Sequence, residues 1–171
     1  HRRKGGGAPR HEARARGSQL VIEAWRIVKT KYRSTAFTGE GASLEGGRWN
    51  SPGVRVVYAS SSPSLALLEI IVNIESIVPL PAYSLFRLEF SVSLVEDLAR
   101  ESLPPNWLDY PPPLETQQIG DRWVAEGRSC VLAVPSTVVP HEPNYILNPA
   151  HRSFARISIG APRTFPIDAR I

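Results

Sequence analysis

Five short segments rich in apolar and β-branched residues constrain the fold of this chain most. They are separated by glycine- and proline-containing stretches, and none approaches the ~18 apolar residues that a membrane helix needs. The strands predicted from them lie at 20–28, 54–59, 83–90, 129–134 and 155–159. A helix is predicted from Ser62-Pro63, an N-cap followed by proline at the first helical position, to about residue 74. A second helix is predicted at 116–126, before Gly127. The fold class is therefore α+β, with a mixed, mainly antiparallel sheet as the core.

The N-terminal residues 1–18 differ in character from the rest. They contain six basic residues and one acidic residue, a net charge of +5, and because the whole chain totals +4 the remainder carries −1. We expect 1–18 to be a disordered basic tail and 19–171 to be a single domain. Since the chain has no methionine, we interpret the tail as vector-derived, and the alternative is a basic arm that contacts nucleic acid.

The cysteine content excludes whole classes of architecture. Cys130 is the single cysteine of the chain, so an internal disulfide or a cysteine metal site cannot form. A single thiol is compatible with a reducing compartment, and we expect a cytoplasmic protein that does not contact a membrane. His141 and His151 lie in a segment without clustered carboxylates, so no metal site is predicted.

Glu69 is the most informative single residue. It lies four positions after Leu65 and three before Val72, and it therefore shares their apolar face on the predicted helix. A carboxylate on such a face is costly unless it is paired or used in chemistry. Taken alone, this residue leaves a salt bridge at the edge of the apolar face and a catalytic role equally open.

Two arginines and a tyrosine carry further signals. Arg48 follows Gly46-Gly47, and a guanidinium on a glycine-rich loop suits a bidentate phosphate contact, although an exposed loop arginine is the simpler interpretation. Arg26 lies within an otherwise apolar strand and should reach a cleft or an anion. Tyr58 ends the second strand, where core packing and an aromatic platform for a flat ring are both possible. Neither G-x-G-x-x-G nor G-x-x-x-x-G-K-[ST] occurs in the chain.

Eight short stretches, in chain order, resemble the RES-domain family from about residue 24 to the C-terminus. The stretches are Gly39-Glu40-Gly41-Ala42, Gly46-Gly47-Arg48-Trp49-Asn50-Ser51-Pro52-Gly53, Val57-Tyr58, Leu67-Leu68-Glu69, Pro104-Pro105-Asn106-Trp107, Ile119-Gly120-Asp121, Gly127-Arg128-Ser129 and Asn148-Pro149-Ala150-His151. The family takes its name from an arginine, a glutamate and a serine. The resemblance assigns these to Arg48, Glu69 and Ser129, with Arg26 as a further candidate arginine.

The resemblance implies a fold similar to that of ADP-ribosyltransferase toxins, and the role of a toxin in a bacterial toxin–antitoxin pair. It implies degradation of NAD⁺, by hydrolysis or phosphorolysis, with NAD⁺ as substrate and no cofactor. The implied partner is an Xre-like antitoxin whose helix-turn-helix region binds DNA. The toxin itself would then associate with DNA only indirectly, through the antitoxin.

Under the resemblance, the candidate residues take separate roles. Glu69 would face the ribose, and Arg48 and Arg26 would hold the pyrophosphate. Tyr58, and Tyr32 likewise, would contact nicotinamide, whereas Ser129 would orient the substrate or Glu69. The weaker candidates, taken from matching C-terminal segments, are Asn148 and Arg156.

Two other functions remain possible at this point. One is a protein ADP-ribosyltransferase, in which a target side chain replaces water as the acceptor. Leu67 stands two residues before Glu69, where arginine-specific transferases have a second acid, and this weakly favours water or phosphate. The other is a non-catalytic nucleic-acid-binding module that acts through the basic tail, and the −1 charge of the remaining residues argues against it.

Overall fold

The computed structural model of the chain describes residues 13–17, 19–74 and 81–171. Within them, nine strands form one sheet in the order β5-β6-β7-β3-β2-β4-β8, with β1 beside β2 and β9 beside β4. The strands are β1 (Ala13–Arg16), β2 (Gln19–Lys29), β3 (Val57–Ser60), β4 (Tyr83–Ser91), β5 (Val95–Asp97), β6 (Val131–Pro135), β7 (Pro143–Leu147), β8 (Ser158–Ile159) and β9 (Arg163–Phe165). Of the described pairings, only β5 with β6 is parallel, so the predicted α+β fold with a mainly antiparallel sheet is confirmed.

Three α-helices and four 3-10 helices connect the described strands. The α-helices are α1 (Glu40–Glu45), α2 (Pro63–Ile71) and α3 (Leu114–Glu126), and the 3-10 helices are Thr30–Thr35, Val92–Leu94, Arg100–Ser102 and Phe154–Arg156. The predicted N-cap is confirmed, because the Ser62 hydroxyl accepts a hydrogen bond from the Leu65 N–H at 3.1 Å. The predicted stop of α3 is confirmed as well, since Gly127 adopts a left-handed φ of 58°.

The sheet consists of two halves that share a single β-sheet residue pair. In the first half-sheet (β1, β2, β4, β8 and β9), β2 and β4 pair along nine positions, from Val21↔Ser91 to Lys29↔Tyr83. In the second half-sheet (β3, β5, β6 and β7), β3 pairs along its whole length with β7. The halves meet where β2 and β3 form the single pair Trp25↔Ser60. Beyond that pair the strands diverge, and a cleft opens between them.

Apolar side chains fill the space on both sides of this junction. The largest core cluster joins residues of both half-sheets, among them Ile22, Leu88, Val57 and Val131. A second cluster, including Trp49 and Trp123, packs α3 and the segment before β3 against the second half-sheet. In a third cluster, Ala66 of α2 packs against Ile27 and Tyr83 of the first half-sheet. Each wall of the cleft therefore rests on its own part of the core.

The expected tail boundary is wrong for residues 13–16. Ala13–Arg16 form β1, whose four residues pair with 19–22 of β2. Composition indicated disorder, but backbone pairing to an existing strand edge does not need apolar side chains, and Ala13 still packs on the core. Arg16 also lies 2.8 Å from Glu89. The rest of the predicted tail, 1–12 and 18, lies outside the described residues.

Four other segments differ from expectation. The stretch 135–152, where no strand was predicted, contains β7. Its apolar run is short and follows Pro143, and proline is tolerated at the first position of a strand. The glycine-rich stretch 33–53 contains α1. The helix predicted to about 74 ends at Ile71, because the Asn73 side-chain amide donates to the Glu69 carbonyl at 2.7 Å and occupies the acceptor for the next turn. At 155–159, only the last two residues are a strand.

Candidate active site

The cleft between the half-sheets has a volume of about 320 Å³ and gathers most of the chemistry-bearing residues. Its floor is formed by residues 25–27 of β2 and 58–60 of β3. One wall is α2, which presents Glu69, and the opposite wall is the turn 47–50, which presents Arg48. The cleft is a concave, partly apolar site with a few convergent polar groups, as is typical of small-molecule sites.

The Glu69 carboxylate is held on one of its two oxygens. Oε1 accepts hydrogen bonds from Ser136 Oγ at 2.8 Å and from Asn144 Nδ2 at 2.6 Å. Among the described residues, no donor forms a hydrogen bond with Oε2. Oε2 is nevertheless not a buried atom without a partner, because the one such side-chain atom in this part of the chain is Arg100 Nε. Oε2 is therefore accessible from the cleft, while Oε1 fixes the orientation of the group.

Ser136 is a rigid donor because its hydroxyl is itself fixed. It is 1% exposed and follows the last residue of β6. Its Oγ accepts from the N–H groups of Val138 and Val139, both at 3.0 Å, and this leaves its proton for Glu69. The serine that is hydrogen-bonded to Glu69 is thus Ser136, whereas the prediction named Ser129 as the serine that orients the substrate or Glu69.

Arg48 lies on the turn 47–50, across the cleft from Glu69. Its Nη1 donates to the carbonyls of Trp107 and Asp109, at 2.7 and 2.9 Å. Partial burial lowers the pKa of Arg48, and the negative charge of Glu69 opposes that shift. No carboxylate of the described residues forms an ion pair with Arg48, so its positive charge is available to an anionic ligand.

The turn that carries Arg48 is braced from two sides. Gly47 and Asn50 form an isolated β-bridge, and the Asn50 side chain, fully buried, donates to the carbonyls of Ala42 and Val54. From α3, Gln117 Nε2 donates to the Gly47 carbonyl at 3.0 Å, and Asp121 Oδ1 accepts from the Ser51 N–H at 2.9 Å. The position of Arg48 is therefore set by the fold and does not depend on a ligand.

Tyr58 lines the cleft with its ring and supports the turn with its hydroxyl. The hydroxyl donates to Asn50 Oδ1 at 2.6 Å and accepts from the Trp49 N–H at 3.1 Å. Burial raises the pKa of Tyr58 far above its ordinary value, so the phenol is neutral and is a poor general base. The ring can face a flat ligand group, while the hydroxyl is already committed to the protein.

Arg26 also lines the cleft, but much of its guanidinium is used within the protein. Its Nε donates to the Ala36 carbonyl at 2.8 Å and its Nη1 to the Tyr58 carbonyl at 2.7 Å. Burial lowers the pKa of Arg26 to about 10. The arginine remains protonated at neutral pH, and it contributes positive charge to the floor of the cleft.

Four predicted site residues do not line the cleft. Tyr32 is 53% exposed on the 3-10 helix after β2. Ser129 accepts a hydrogen bond from Trp123 Nε1 and donates to the Val131 carbonyl. Asn148 is buried at the end of β7, where its Oδ1 accepts from the Ala150 N–H, and Arg156 lies exposed on a 3-10 helix. All four lie outside the strands, on 3-10 helices or just beyond the ends of β6 and β7, and the residues that line the cleft come from other parts of the chain.

Two residues that were not predicted from the sequence, Ser136 and Asn144, form hydrogen bonds with Glu69. Ser136 follows the apolar run of β6, and Asn144 lies in β7, four residues before the predicted Asn148. A polar residue directly after a fully buried strand was an available signal for Ser136. Asn144 gave no comparable signal, because β7 itself was not predicted.

No group of three metal-binding side chains occurs among the residues that the structure describes. In the same residues, no helix has the length and apolar character that crossing a bilayer requires.

Comparison with known proteins provides independent information. The family model described as RES domain matches residues 23–168. A Yersinia enterocolitica protein named Toxin Res is 40% identical over 148 residues, which cover 86% of this chain and 97% of the relative. A protein of Sphingobium sp. strain YBL2, named Prs ADP-ribosylating toxin, is 35% identical over 158 residues, which cover 89% of this chain and 98% of the relative.

The fold is also similar to that of a solved protein. The crystal structure of the M. tuberculosis MbcT–MbcA toxin–antitoxin complex contains a chain that matches with a TM-score of 0.66 at 15% identity, over 86% of this chain and 85% of that one. At this identity the match concerns the fold alone, and the fold that it supports is the mixed, mainly antiparallel α+β fold described above.

Proposed function

The chain belongs to the RES-domain family, and from that premise we propose that it is the toxin of a toxin–antitoxin pair that cleaves the nicotinamide–ribose bond of NAD⁺. The observation that carries the proposal is the Glu69 carboxylate, which is held by Ser136 and Asn144 on Oε1 and is accessible on Oε2. It faces a cleft that also contains two arginines and an aromatic ring.

The proposed reaction needs one carboxylate. The C1′–N bond breaks, its electron pair leaves with the nicotinamide nitrogen, and positive charge develops on the ribose. Because nicotinamide leaves as a neutral molecule, no general acid is required, unlike ordinary glycoside cleavage. Glu69 Oε2 accepts a hydrogen bond from a ribose hydroxyl and stabilises the developing charge electrostatically.

The remaining cleft residues bind and orient the substrate. Arg48 binds the pyrophosphate, and Arg26 adds positive charge to the floor, since both remain protonated near neutral pH. The Tyr58 ring lies against the nicotinamide. Water then adds to C1′ and loses its proton to give ADP-ribose, or inorganic phosphate adds to give ADP-ribose-1″-phosphate.

A second candidate function is transfer of ADP-ribose to a protein side chain. The name of the Sphingobium relative, Prs ADP-ribosylating toxin, favours it. The cleavage step and the role of Glu69 are the same in both functions, and only the acceptor differs.

The proposed partner is an Xre-like antitoxin. The support is the chain of similar fold in the M. tuberculosis toxin–antitoxin complex. An antitoxin that binds DNA through a helix-turn-helix region would bring this toxin to DNA indirectly.

The test is to incubate the purified protein with NAD⁺, with and without inorganic phosphate, and to identify the products by mass spectrometry. Nicotinamide with ADP-ribose indicates hydrolysis, and ADP-ribose-1″-phosphate indicates phosphorolysis. A protein target that gains ADP-ribose indicates transfer. Glu69→Gln should abolish each activity, whereas Glu101→Gln, at an exposed glutamate outside the cleft, should not. Intact NAD⁺ in all assays of the unaltered protein would refute the proposal.

A further inference from the structure

We propose that Asn144, held in place by Ser60, is a positioning residue that sets the orientation of the Glu69 carboxylate for catalysis. This inference rests on the proposed function, and it adds a residue pair that the sequence motifs did not indicate. The evidence is a directed chain of hydrogen bonds that runs from the junction of the half-sheets to the carboxylate.

The chain has two links. Ser60 Oγ donates to Asn144 Oδ1 at 2.8 Å, and Asn144 Nδ2 donates to Glu69 Oε1 at 2.6 Å. Because the serine proton occupies the amide oxygen, the amide nitrogen must face the carboxylate. Ser60 is 5% exposed, which excludes most water from the first link. The orientation of the Asn144 amide, and with it the direction of the second link, is therefore fixed by Ser60.

Ser60 connects this hydrogen-bond chain to the junction of the two half-sheets. Ser60 stands opposite Asn144 in the β3–β7 pair and opposite Trp25 in the single β2–β3 pair. It is thus the residue at which the two half-sheets meet. The residue that joins the two half-sheets also donates to the amide that is bonded to the Glu69 carboxylate.

Neutral donors suit this role better than cations. Ser136 and Asn144 both bind Oε1 without carrying charge, so they fix the carboxylate and leave its negative charge unneutralised. A lysine or arginine in either place would form an ion pair and weaken the stabilisation of a positive ribose. The Asn144 amide therefore orients the carboxylate without reducing its negative charge.

The central test is Asn144→Asp, which keeps the shape of the side chain and changes the donor. At position 144 the introduced carboxyl would face Glu69 from α2, with Arg48 on the opposite wall, Arg26 on the floor and Glu142 just before β7. Two carboxylates in contact share one proton, and the pKa of the pair is raised. With the proton bound, the introduced carboxyl donates to Glu69 as the amide does; as the pH rises and the proton is lost, both groups are anionic and repel.

We expect kcat of Asn144→Asp to be about 100-fold below that of the unaltered protein at pH 8 or so, the scale of a misplaced catalytic group. The ratio of variant to parent kcat should rise as the pH falls, while KM for NAD⁺ changes little. A purely structural role would give a pH-independent loss. Gln19→Glu, which adds a carboxylate at the exposed first position of β2 and outside the cleft, is the control and should follow the parent profile.

Alanine substitutions that remove one hydrogen bond at a time test whether Ser60 acts through Asn144. Asn144→Ala should lower kcat without the recovery at low pH, and Ser60→Ala should lower it by a smaller factor. The double variant should be no worse than Asn144→Ala alone, because Ser60 acts through the amide. Ser61→Ala, at the neighbouring serine, is the control and should have parental activity.

The outcomes separate this inference from the proposed function. If the unaltered protein does not consume NAD⁺, the proposed function fails and this inference fails with it. If the unaltered protein is active and folded Asn144→Asp has parental kcat, or a kcat ratio that is flat with pH, only the positioning role is overturned. Circular dichroism and urea unfolding of each variant establish that it is folded, and Asn144→Asp remains the decisive variant if Asn144→Ala does not fold.

Discussion

Gly120→Ala is the sharpest test of how the fold holds Arg48. Gly120 lies in α3, directly against the backbone of the turn 47–50 that carries Arg48. A Cβ at position 120 would lie 1.7 Å from the Trp49 carbonyl oxygen and 2.7 Å from the carbonyl carbon. The obstacle is backbone rather than a flexible side chain, so α3 and the turn must move apart.

The size of the effect follows from the contacts. A carbon and an oxygen approach to about 3.3 Å, so the helix must move by roughly 1.5 Å relative to the turn. Overpacking of this kind costs about 1–3 kcal/mol. The same movement strains the hydrogen bonds from Gln117 to the Gly47 carbonyl and from the Ser51 N–H to Asp121, at about 1 kcal/mol each. Alanine returns about 1 kcal/mol through its helix propensity. The expected net loss is about 2–4 kcal/mol.

Urea unfolding measures this loss, and thermal unfolding should show a Tm lower by roughly 2–4 °C for each kcal/mol. Because the turn moves, KM for NAD⁺ should rise as well. The matched control is Gly41→Ala in α1, where an added Cβ meets no atom within 4 Å, and it should be neutral or slightly stabilising. A Gly120→Ala protein as stable as the parent would refute the close packing of α3 on the turn.

Substitutions at four further residues test the site. Glu69→Gln should lower kcat by about 100-fold or more in a folded protein, as read from NAD⁺ consumption, because it removes the charge that stabilises the ribose; substantial residual turnover contradicts the catalytic role. Arg48→Ala should raise KM, and Arg48→Lys should recover only part of it, since an ammonium lacks the planar fork; an unchanged kcat/KM contradicts the phosphate contact. Tyr58→Phe leaves Asn50 Oδ1 buried without its donor and should lower the free energy of unfolding by about 1–3 kcal/mol in urea. Ser129→Ala should lower stability by about 1 kcal/mol with unchanged kcat, and a large loss of kcat would return Ser129 to the site.

The parts of the fold that sequence could predict are those with local signals. The strands 20–28 and 83–90 have dense β-branched or alternating apolar residues, and Ser62-Pro63 begins α2 by capping chemistry that needs no tertiary contact. Glu69 was identifiable because helical periodicity places it on an apolar face. β7 was not predicted, because its apolar run is short and its stability comes from pairing with strands on both sides. The tail residues 13–16 were misjudged for the same reason.

The site residues that could be predicted are likewise those with a local signal in the sequence. Arg48, Arg26 and Tyr58 each lie in a local context that is unusual for the residue type, and the structure places all three at the cleft. Ser129 was selected through a motif, yet its hydroxyl serves Trp123. The two serines flank opposite ends of β6, because Ser129 precedes Val131 and Ser136 follows Pro135. Only the end after Pro135 lies beside Glu69 of α2, and this tertiary arrangement has no local signal in the sequence.

The geometry of the cleft links catalysis to the weakest junction of the sheet. The half-sheets meet at the single pair Trp25↔Ser60, and Ser60 is also the first link of the hydrogen-bond chain to Glu69. Arg48, on the opposite wall, is fixed by α3 through a different part of the core. The Glu69 carboxylate and the Arg48 guanidinium are therefore positioned by separate parts of the structure, and substitutions on the two sides should have different effects on stability and activity. Loss of the Ser60–Asn144 chain should act on kcat, whereas displacement of α3 should act on KM.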